Sequence, residues 1–513
     1  MYAKVLSSAV LGIDAYTVTV ESNTENVTPF TINTVGLPEG AVRESKERVM
    51  AAIKNSGFLL KQKRITINLA PADIRKEGAL FDLPIAIGIL ASYGLVKTTF
   101  FKKIIFIGEL SLNGKLRQVK GVFPICLNAK KTGISGIIIP KKNIEEASFV
   151  EGIRIAGLET LKDVVDVLNG EKDFKGETRK GKTFSGNSFQ YDVDFADVKG
   201  QENVKRALEV SAAGGHNILL IGPPGSGKTM LAKRIPTILP EMTIEEALET
   251  TKIHSVAGLI DASFGIVNYR PFRSPHHTIS DVGLIGGGQV PKPGEVSISQ
   301  NGVLFLDELP EFKKNVLEVL RQPIENGEVT ISRAKISLTY PANFMLVSAM
   351  NPCPCGYYTD PKNECCCNPQ LIQRYLSKIS GPLLDRIDIH IEVPAVEYDK
   401  LSGKQTGEKS DVIRNRIQKA REIQIQRFKE KPKLHDNAGM ERSYIEKYCK
   451  LSNESRILLK TAMEKLGLSA RAYDRILKVS RTIADLENKK NIKSHHIGEA
   501  IQYRSLDRSM WLG

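Results

Sequence analysis

The amino-acid sequence predicts an α/β protein built on a parallel sheet, with a mixed α+β region before it and a helical region after it. Three apolar runs carry this expectation. Asn217 to Ile221 leads into Gly222-Pro223-Pro224-Gly225-Ser226-Gly227-Lys228-Thr229. Gly302-Val303-Leu304-Phe305-Leu306 ends in Asp307 and Glu308, and Phe344 to Met350 ends in Asn351. Uninterrupted apolar runs suit strands buried on both faces of a parallel sheet. Polar residues at their ends suit a ligand site, because open α/β sheets bind ligands beyond the carboxyl ends of their strands.

Taken in order, the chain of 513 residues fits two to four compact domains. Residues 1–170 mix strand-like runs (Ile65 to Leu69, Ile104 to Ile107, Ile137 to Ile139) with a helical stretch, Val42 to Asn55. Residues 171–190 are polar, and Lys172 to Thr183 holds five Lys/Arg against two acids. That composition reads as a solvated linker. Residues 191–394 contain the three runs above. Residues 395–513 have apolar residues at helical spacing, such as Ile457, Leu458, Met463 and Leu466. No internal repeat is visible.

The formal net charge is +14 and the sequence pI near 9.2. Such a balance favours a polyanionic partner such as nucleic acid. No apolar run reaches the ~20 residues needed to span a bilayer. The longest candidate, Leu83 to Ala91, contains Pro84 and Gly88. Met1 to Gly12 is a poor signal peptide. These features predict a soluble cytoplasmic protein without a membrane partner.

The Gly222–Thr229 segment matches G-x-x-x-x-G-K-[ST] between a strand and a helix. Glycines let successive backbone N–H groups point at phosphates, and the helix N-terminus adds partial positive charge. Lys228 is expected to reach the β- and γ-phosphates of ATP, and Thr229 to ligate Mg²⁺. Asp307 suits the same Mg²⁺ shell, and Glu308 the attacking water. Asn351 is placed to sense the γ-phosphate. Arg386 lies between Asp385 and Asp388. Its residue type alone reads as a surface ion pair, worth little.

Further strings narrow the reading. They are Arg273-Ser274-Pro275-His276-His277-Thr278, Asn351-Pro352-Cys353-Pro354-Cys355-Gly356 and Gly381-Pro382-Leu383-Leu384-Asp385-Arg386-Ile387-Asp388. Others lie near the N-terminus: Val35-Gly36-Leu37-Pro38, Ala41-Val42-Arg43-Glu44-Ser45, Asn68-Leu69-Ala70-Pro71-Ala72-Asp73 and Phe81-Asp82-Leu83-Pro84. Together they resemble the magnesium-chelatase-like AAA+ ATPases of the YifB/ComM family, over nearly the whole chain. The resemblance implies an AAA+ ATPase core with a C-terminal helical lid. It implies Arg386 as an arginine finger, Asn351 as sensor 1 and Arg471 as sensor 2. It also implies a homo-oligomeric ring, expected to be a hexamer, because the finger acts on a neighbour's nucleotide.

Gly108-Glu109-Leu110-Ser111-Leu112-Asn113-Gly114 and Gly121 to Gly133 resemble the proteolytic domain of Lon. Lon uses a Ser-Lys dyad, in which the Lys activates the nucleophile. Here the two positions align with Leu80 and Phe123. The expectation is a Lon-like domain without the dyad, serving assembly or partner binding.

Five of the seven cysteines lie between Cys353 and Cys367, as C-x-C, nine residues, C-C-C. In a chain read as cytosolic, such clustering points to metal, and four thiolates suit tetrahedral Zn²⁺. The spacing leaves the choice of four open. The resemblance favours Cys353, Cys355, Cys365 and Cys367, leaving Cys366 over. The loop, residues 352–369, is expected to protrude from the sheet and take no part in hydrolysis.

Two segments are candidates for touching a polymer. Glu328 to Leu338 alternates around a hairpin tip with Arg333 and Lys335 near it, and His276 to Pro293 is glycine-rich and contains Lys292. His276 and His277 are expected to shape that insert or contact phosphate. An ordinary solvated loop is the competing reading of both. Three function classes follow. The favoured one is a ring motor on single-stranded or branched DNA, a branch-migration helicase in recombination or natural transformation. The others are a chelatase-type ATPase remodelling a protein or metal-insertion partner, and a Lon-like protease.

Overall fold

The computed structural model describes residues 1–27, 31–35, 40–71, 78–173, 191–260, 265–288, 291–333, 336–358, 360, 362–395, 407–431 and 434–504. Lys335 and most of the expected linker lie outside these residues. Two compact units form, one from Met1–Gly186 with Ile244–Val267, the other from Asn187–Thr243 with Asn268–Gly513.

The first unit is built on a seven-stranded sheet. Its strands are β1 (Tyr2–Leu11), β2 (Asp14–Glu25), β3 (Ile32–Val35), β4 (Arg64–Ala70), β5 (Ile104–Phe106), β8 (Gly136–Pro140) and β9 (Arg154–Leu158), in the order β3-β4-β2-β1-β5-β8-β9. Two-residue strands β6 (Glu109–Leu110) and β7 (Leu116–Arg117) pair beside it. β1, β2 and β4 run antiparallel, while β5, β8 and β9 are parallel. Alternation along β5 divides the core. Ile104 and Phe106 join one apolar cluster with Val5, Val20 and Leu69, whereas Ile105 joins another with Phe123 and Ile137.

Leu80 packs against both clusters, and Phe123 is fully buried in the second. The strand-like runs and the Val42–Asn55 stretch of the sequence correspond to β4, β5, β8 and the Gly40–Asn55 helix.

The Ile244–Ala257 helix belongs to this unit, although it follows the P-loop in sequence. The expected linear partition at 171–190 therefore differs from the spatial one. The physical reason is a set of long-range partners. Leu248 packs into the Phe123 cluster, and the Ser255 carbonyl accepts from Gly121 N–H. The Ser255 hydroxyl donates to Glu146 Oε1 at 2.5 Å. Glu146 also accepts from Phe123 N–H and Asn143 Nδ2. Burial pushes the Glu146 carboxyl above its ordinary range, against the hydrogen bonds that lower it. Glu146→Ala leaves a buried hydroxyl and a buried N–H without this acceptor. It is expected to lower the stability of the first unit by about 1–3 kcal/mol, read from a urea transition. An unchanged midpoint would remove Glu146 from the docking of this helix.

The second unit holds a five-stranded sheet in the order β11-β14-β17-β10-β18. These are β10 (Ile218–Ile221), β11 (Phe272–Arg273), β14 (Val303–Leu306), β17 (Met345–Met350) and β18 (Ile389–Glu392). Every pairing is parallel, and β10, β14 and β17 are buried along their whole length. Two hairpins stand outside it: β12 (Gly286–Gly287) with β13 (Lys292–Pro293), and β15 (Glu328–Arg333) with β16 (Ile336–Pro341).

One apolar cluster joins Ile218 and Val347 of the sheet to Ile413, Ile417, Ile476 and Ile483 of the C-terminal helices. The third region of the sequence thus shares its core with the second. In the Asn453–Leu466 helix only Ser455 and Leu459 are buried, and Ile457 is 66% exposed. Leu459 and Met463 face the core, whereas Ile457 and Leu458 do not, so its apolar periodicity marks a helix without fixing which face is buried. No helix among the described residues is long and apolar enough to cross a membrane.

Candidate functional site

Strand register brings the predicted site residues to one sheet edge. Ile221 pairs with Met350, so β10 and β17 end level, and Gly222 N–H donates to the Met350 carbonyl. Leu306 pairs with Ser348, so Asp307 follows one step lower on the neighbouring strand. The Lys228–Ile238 helix starts directly after Gly227. Gly225 and Gly227 have φ of 74° and 89°, which a side chain resists, and the loop needs both to turn back on itself. At Gly222 a Cβ would lie 2.2 Å from the Val393 carbonyl oxygen.

The Lys228 ammonium donates to the carbonyls of Gly222 and Pro223, each at 2.8 Å, and lies 3.1 Å from Asn351 Oδ1. Burial lowers its pKa, and the Asp307 carboxylate opposes that shift. Thr229 Oγ1 donates to Asp307 Oδ2 at 2.6 Å. A hydroxyl and a carboxylate in contact beside a phosphate loop can share a divalent cation.

Glu308 adopts φ 53°, a left-handed conformation uncommon outside glycine, and its side chain is 60% exposed. The His277 Nδ1 lies 3.4 Å from Glu308 Oε2, and the His277 ring lies against His276, centroids 4.1 Å apart and planes tilted by 33°. Nothing in the local pattern signals this pairing, which follows from β11 lying beside β14.

The arginines differ from expectation in posture. Arg386 is only 3% exposed, where a residue reaching a neighbour is expected at a surface. Its guanidinium bonds Glu325 and the Pro382 carbonyl of its own chain. Burial lowers its pKa, Glu325 opposes that, and the charges of Arg321 and Arg471 add to it. Arg471 is exposed, on the first turn of the Ala470–Leu486 helix. Arg386 and Arg471 are thus within electrostatic reach of one another.

Cys353, Cys355, Cys365 and Cys367 converge with all four sulfurs within 4.8 Å of one another, while Cys366 is exposed outside the group. Three of the edges measure 3.3, 3.7 and 3.6 Å. Thiolates at about 2.3 Å around tetrahedral Zn²⁺ stand about 3.8 Å apart, so the cluster fits a metal of that size. A backbone N–H at Tyr357 and other donors bring the Cys355 thiol down to about 6. For Cys367 a backbone hydrogen bond acts downward, but burial and the neighbouring sulfurs push it up to about 12.

The loop also sits closer to the nucleotide loop than expected. A Cβ on Gly356, whose φ is +90°, would meet Pro224 Cδ at 2.5 Å. Glu487, His495 and His496 form a second convergent group. His496 Nδ1 accepts from Lys493 N–H, so its proton sits on the Nε2 that faces Glu487, which suits a hydrogen bond rather than a metal.

The two hairpins lie together. Tyr340 Oη donates to the Pro291 carbonyl at 2.6 Å, and a Cβ on Gly287 would lie 3.2 Å from Arg333 Nη2. Arg333 is exposed.

Comparison with known proteins places this arrangement. Residues 194–401 match the family described as magnesium chelatase, subunit ChlI. Residues 20–143 match subunit ChlI of Mg-chelatase, and 407–504 the ChlI C-terminal family. Competence protein ComM of Haemophilus influenzae is 48% identical over 99% of this chain and 98% of its own length. Uncharacterized protein YifB of Escherichia coli is 44% identical over 98% of this chain and 96% of its own. The chain belongs to the YifB/ComM family of magnesium-chelatase-like proteins. The Magnesium-chelatase 38 kDa subunit of Rhodobacter capsulatus is more distant, 25% identical over 44% of this chain and 68% of its own. Membership in the YifB/ComM family makes the second unit a chelatase-family AAA+ ATPase.

Proposed function

We propose that this chain is an ATP-hydrolysing ring motor that moves DNA, acting in branch migration during recombination or uptake of foreign DNA. The paired hairpins carry this reading, because they bring Lys292 and the exposed Arg333 onto neighbouring elements outside the ATPase sheet. Likeness to a competence protein supports it. The net charge of +14 agrees.

In this reading Lys228 binds the β- and γ-phosphates, and Thr229 and Asp307 hold Mg²⁺, which neutralises charge on the phosphates. Glu308, oriented by His277, accepts the proton of the attacking water, and Asn351 aligns that water with the γ-phosphate. Arg386 and Arg471 act from the adjoining chain of a hexameric ring. Glu325 releases Arg386 as the neighbour docks. Cys353, Cys355, Cys365 and Cys367 hold structural Zn²⁺. The first unit is Lon-like in ancestry and works as an assembly or docking platform. Peptidase chemistry is disfavoured, since Leu80 and Phe123 are apolar and share one buried cluster.

DNA is expected to stimulate ATP hydrolysis, and the protein to displace a labelled strand from a branched junction. Arg333→Ala is expected to weaken DNA binding and reduce the slope of log affinity against log salt by about 1. Strand displacement that survives Lys228→Ala, with ATPase abolished, would defeat the motor reading. ATPase indifferent to single-stranded, duplex and four-way DNA would favour a protein or metal-insertion partner.

A further inference from the structure

We propose that Arg475 is a positioning residue for ATP hydrolysis. Through Asp388 it fastens the loop bearing Arg386 to the helix bearing Arg471. The inference rests on the reading above, in which those two arginines act on nucleotide.

The sequence shows half of the arrangement. Arg475 follows Arg471 by four residues, so both lie on one face of the Ala470–Leu486 helix. Asp388 follows Arg386 by two. The fold joins them: Arg475 Nη1 bonds Asp388 Oδ1. The other carboxylate oxygen accepts from Asn217 N–H at 3.1 Å and faces His216 Nδ1 at 3.3 Å. His216 Nε2 meets Thr482 Oγ1 at 2.8 Å, about two helix turns beyond Arg475. The Asp388 side chain is 2% exposed. Burial acts to raise its pKa, yet Arg475 and His216 hold it far below the carboxylate range.

The position of this carboxylate matters more than its strength. A buried ion pair is weak evidence of stabilisation, because apolar side chains often serve as well. Asp388 instead sits where elements of the site meet, directly on Arg475, His216 and Asn217 and through Asn217 on two more. Asn217 immediately precedes β10, which runs into the P-loop. Its side chain donates to the Arg386 carbonyl at 3.1 Å and accepts from Leu346 N–H of β17, the strand that ends at Asn351. One carboxylate therefore links the phosphate loop, the Asn351 strand, the Arg386 loop and the Arg471 helix. Loss of Arg475 leaves Asp388 charged and buried. The two arginines then lose their registration to the sheet, while the P-loop of the same chain keeps its own contacts.

The test is complementation between inactive chains. Arg475→Met is expected to bind a fluorescent ATP analogue within about threefold of the wild-type chain and to turn ATP over about 10- to 100-fold more slowly. Mixed with Lys228→Ala, whose arginines are intact, it should regain hydrolysis at its own P-loops. Arg386→Ala mixed with Lys228→Ala is the control for the underlying reading. Recovery in the control without recovery for Arg475→Met overturns the proposal alone. No recovery in the control overturns the reading on which it rests. Arg475→Lys, which keeps the charge, covers the case in which the methionine chain does not fold. It should show the same split between affinity and turnover, and an equal loss of both would make the pair structural only.

Discussion

Glu308→Gln is expected to bind ATP as the wild-type chain does and to hydrolyse it about 10²- to 10⁴-fold more slowly. The substitution keeps size and hydrogen-bonding capacity and removes only the ability to take a proton. The Glu308 side chain is 60% exposed and faces His277, and glutamine leaves the backbone hydrogen bonds in place, so folding should be indifferent. If the carboxylate merely paired with His277, its loss would cost about 1 kcal/mol, less than tenfold in rate. The two readings are thus separated by at least an order of magnitude. Phosphate release under saturating ATP, with retention of labelled ATP on a filter, gives both numbers. Turnover within tenfold of wild type would take Glu308 out of the reaction. Lys228→Ala supplies the contrast, since its expected defect lies in binding.

The purified protein is expected to hold about one zinc per chain, and Cys365→Ser to lose it. Cys366→Ser is expected to keep it, because Cys366 is exposed outside the four-sulfur group. The effect should be large. Four sulfurs within 4.8 Å resist ionising together unless a cation joins them, and structural zinc contributes about 10–16 kcal/mol of apparent binding energy in zinc-finger peptides. The consequence should extend to turnover. Gly356 abuts Pro224 of the P-loop, and Cys353 follows Asn351 by two residues. Chelation is therefore expected to raise the KM for ATP and to lower the melting temperature. Elemental analysis of both variants checks the ligand set. Zinc retained by Cys365→Ser would contradict the ligand set, and ATPase untouched by zinc loss would return the loop to the purely structural role expected from the sequence.

Local pattern explains what the sequence revealed. The apolar runs before Gly222, Asp307 and Asn351 each form a buried parallel strand, as suits short runs that end in glycine or polar residues. Alternation from Glu328 to Leu338 produced the hairpin with Arg333 at its end. The sulfur set favoured by family resemblance is the one that converges. What stayed hidden depends on partners distant in sequence. His277 meets Glu308 only because two strands lie side by side. Arg386 turns inward toward Glu325, sixty-one positions away. The exposed Ile457 shows the reverse error, where periodicity marks a helix but leaves its buried face undecided.

The route of the chain through the first unit bears on its biosynthesis. Residues 1–186 emerge from the ribosome without the Ile244–Ala257 helix that supplies Ser255 to Glu146 and Leu248 to the Phe123 cluster. The P-loop and its helix are translated before that unit can close. At roughly 5–20 residues per second, the gap leaves an apolar surface of the nascent first unit waiting for several seconds. Completion of one unit is thus timed by translation of the other, and a truncation after residue 186 would strand it in its unfinished form.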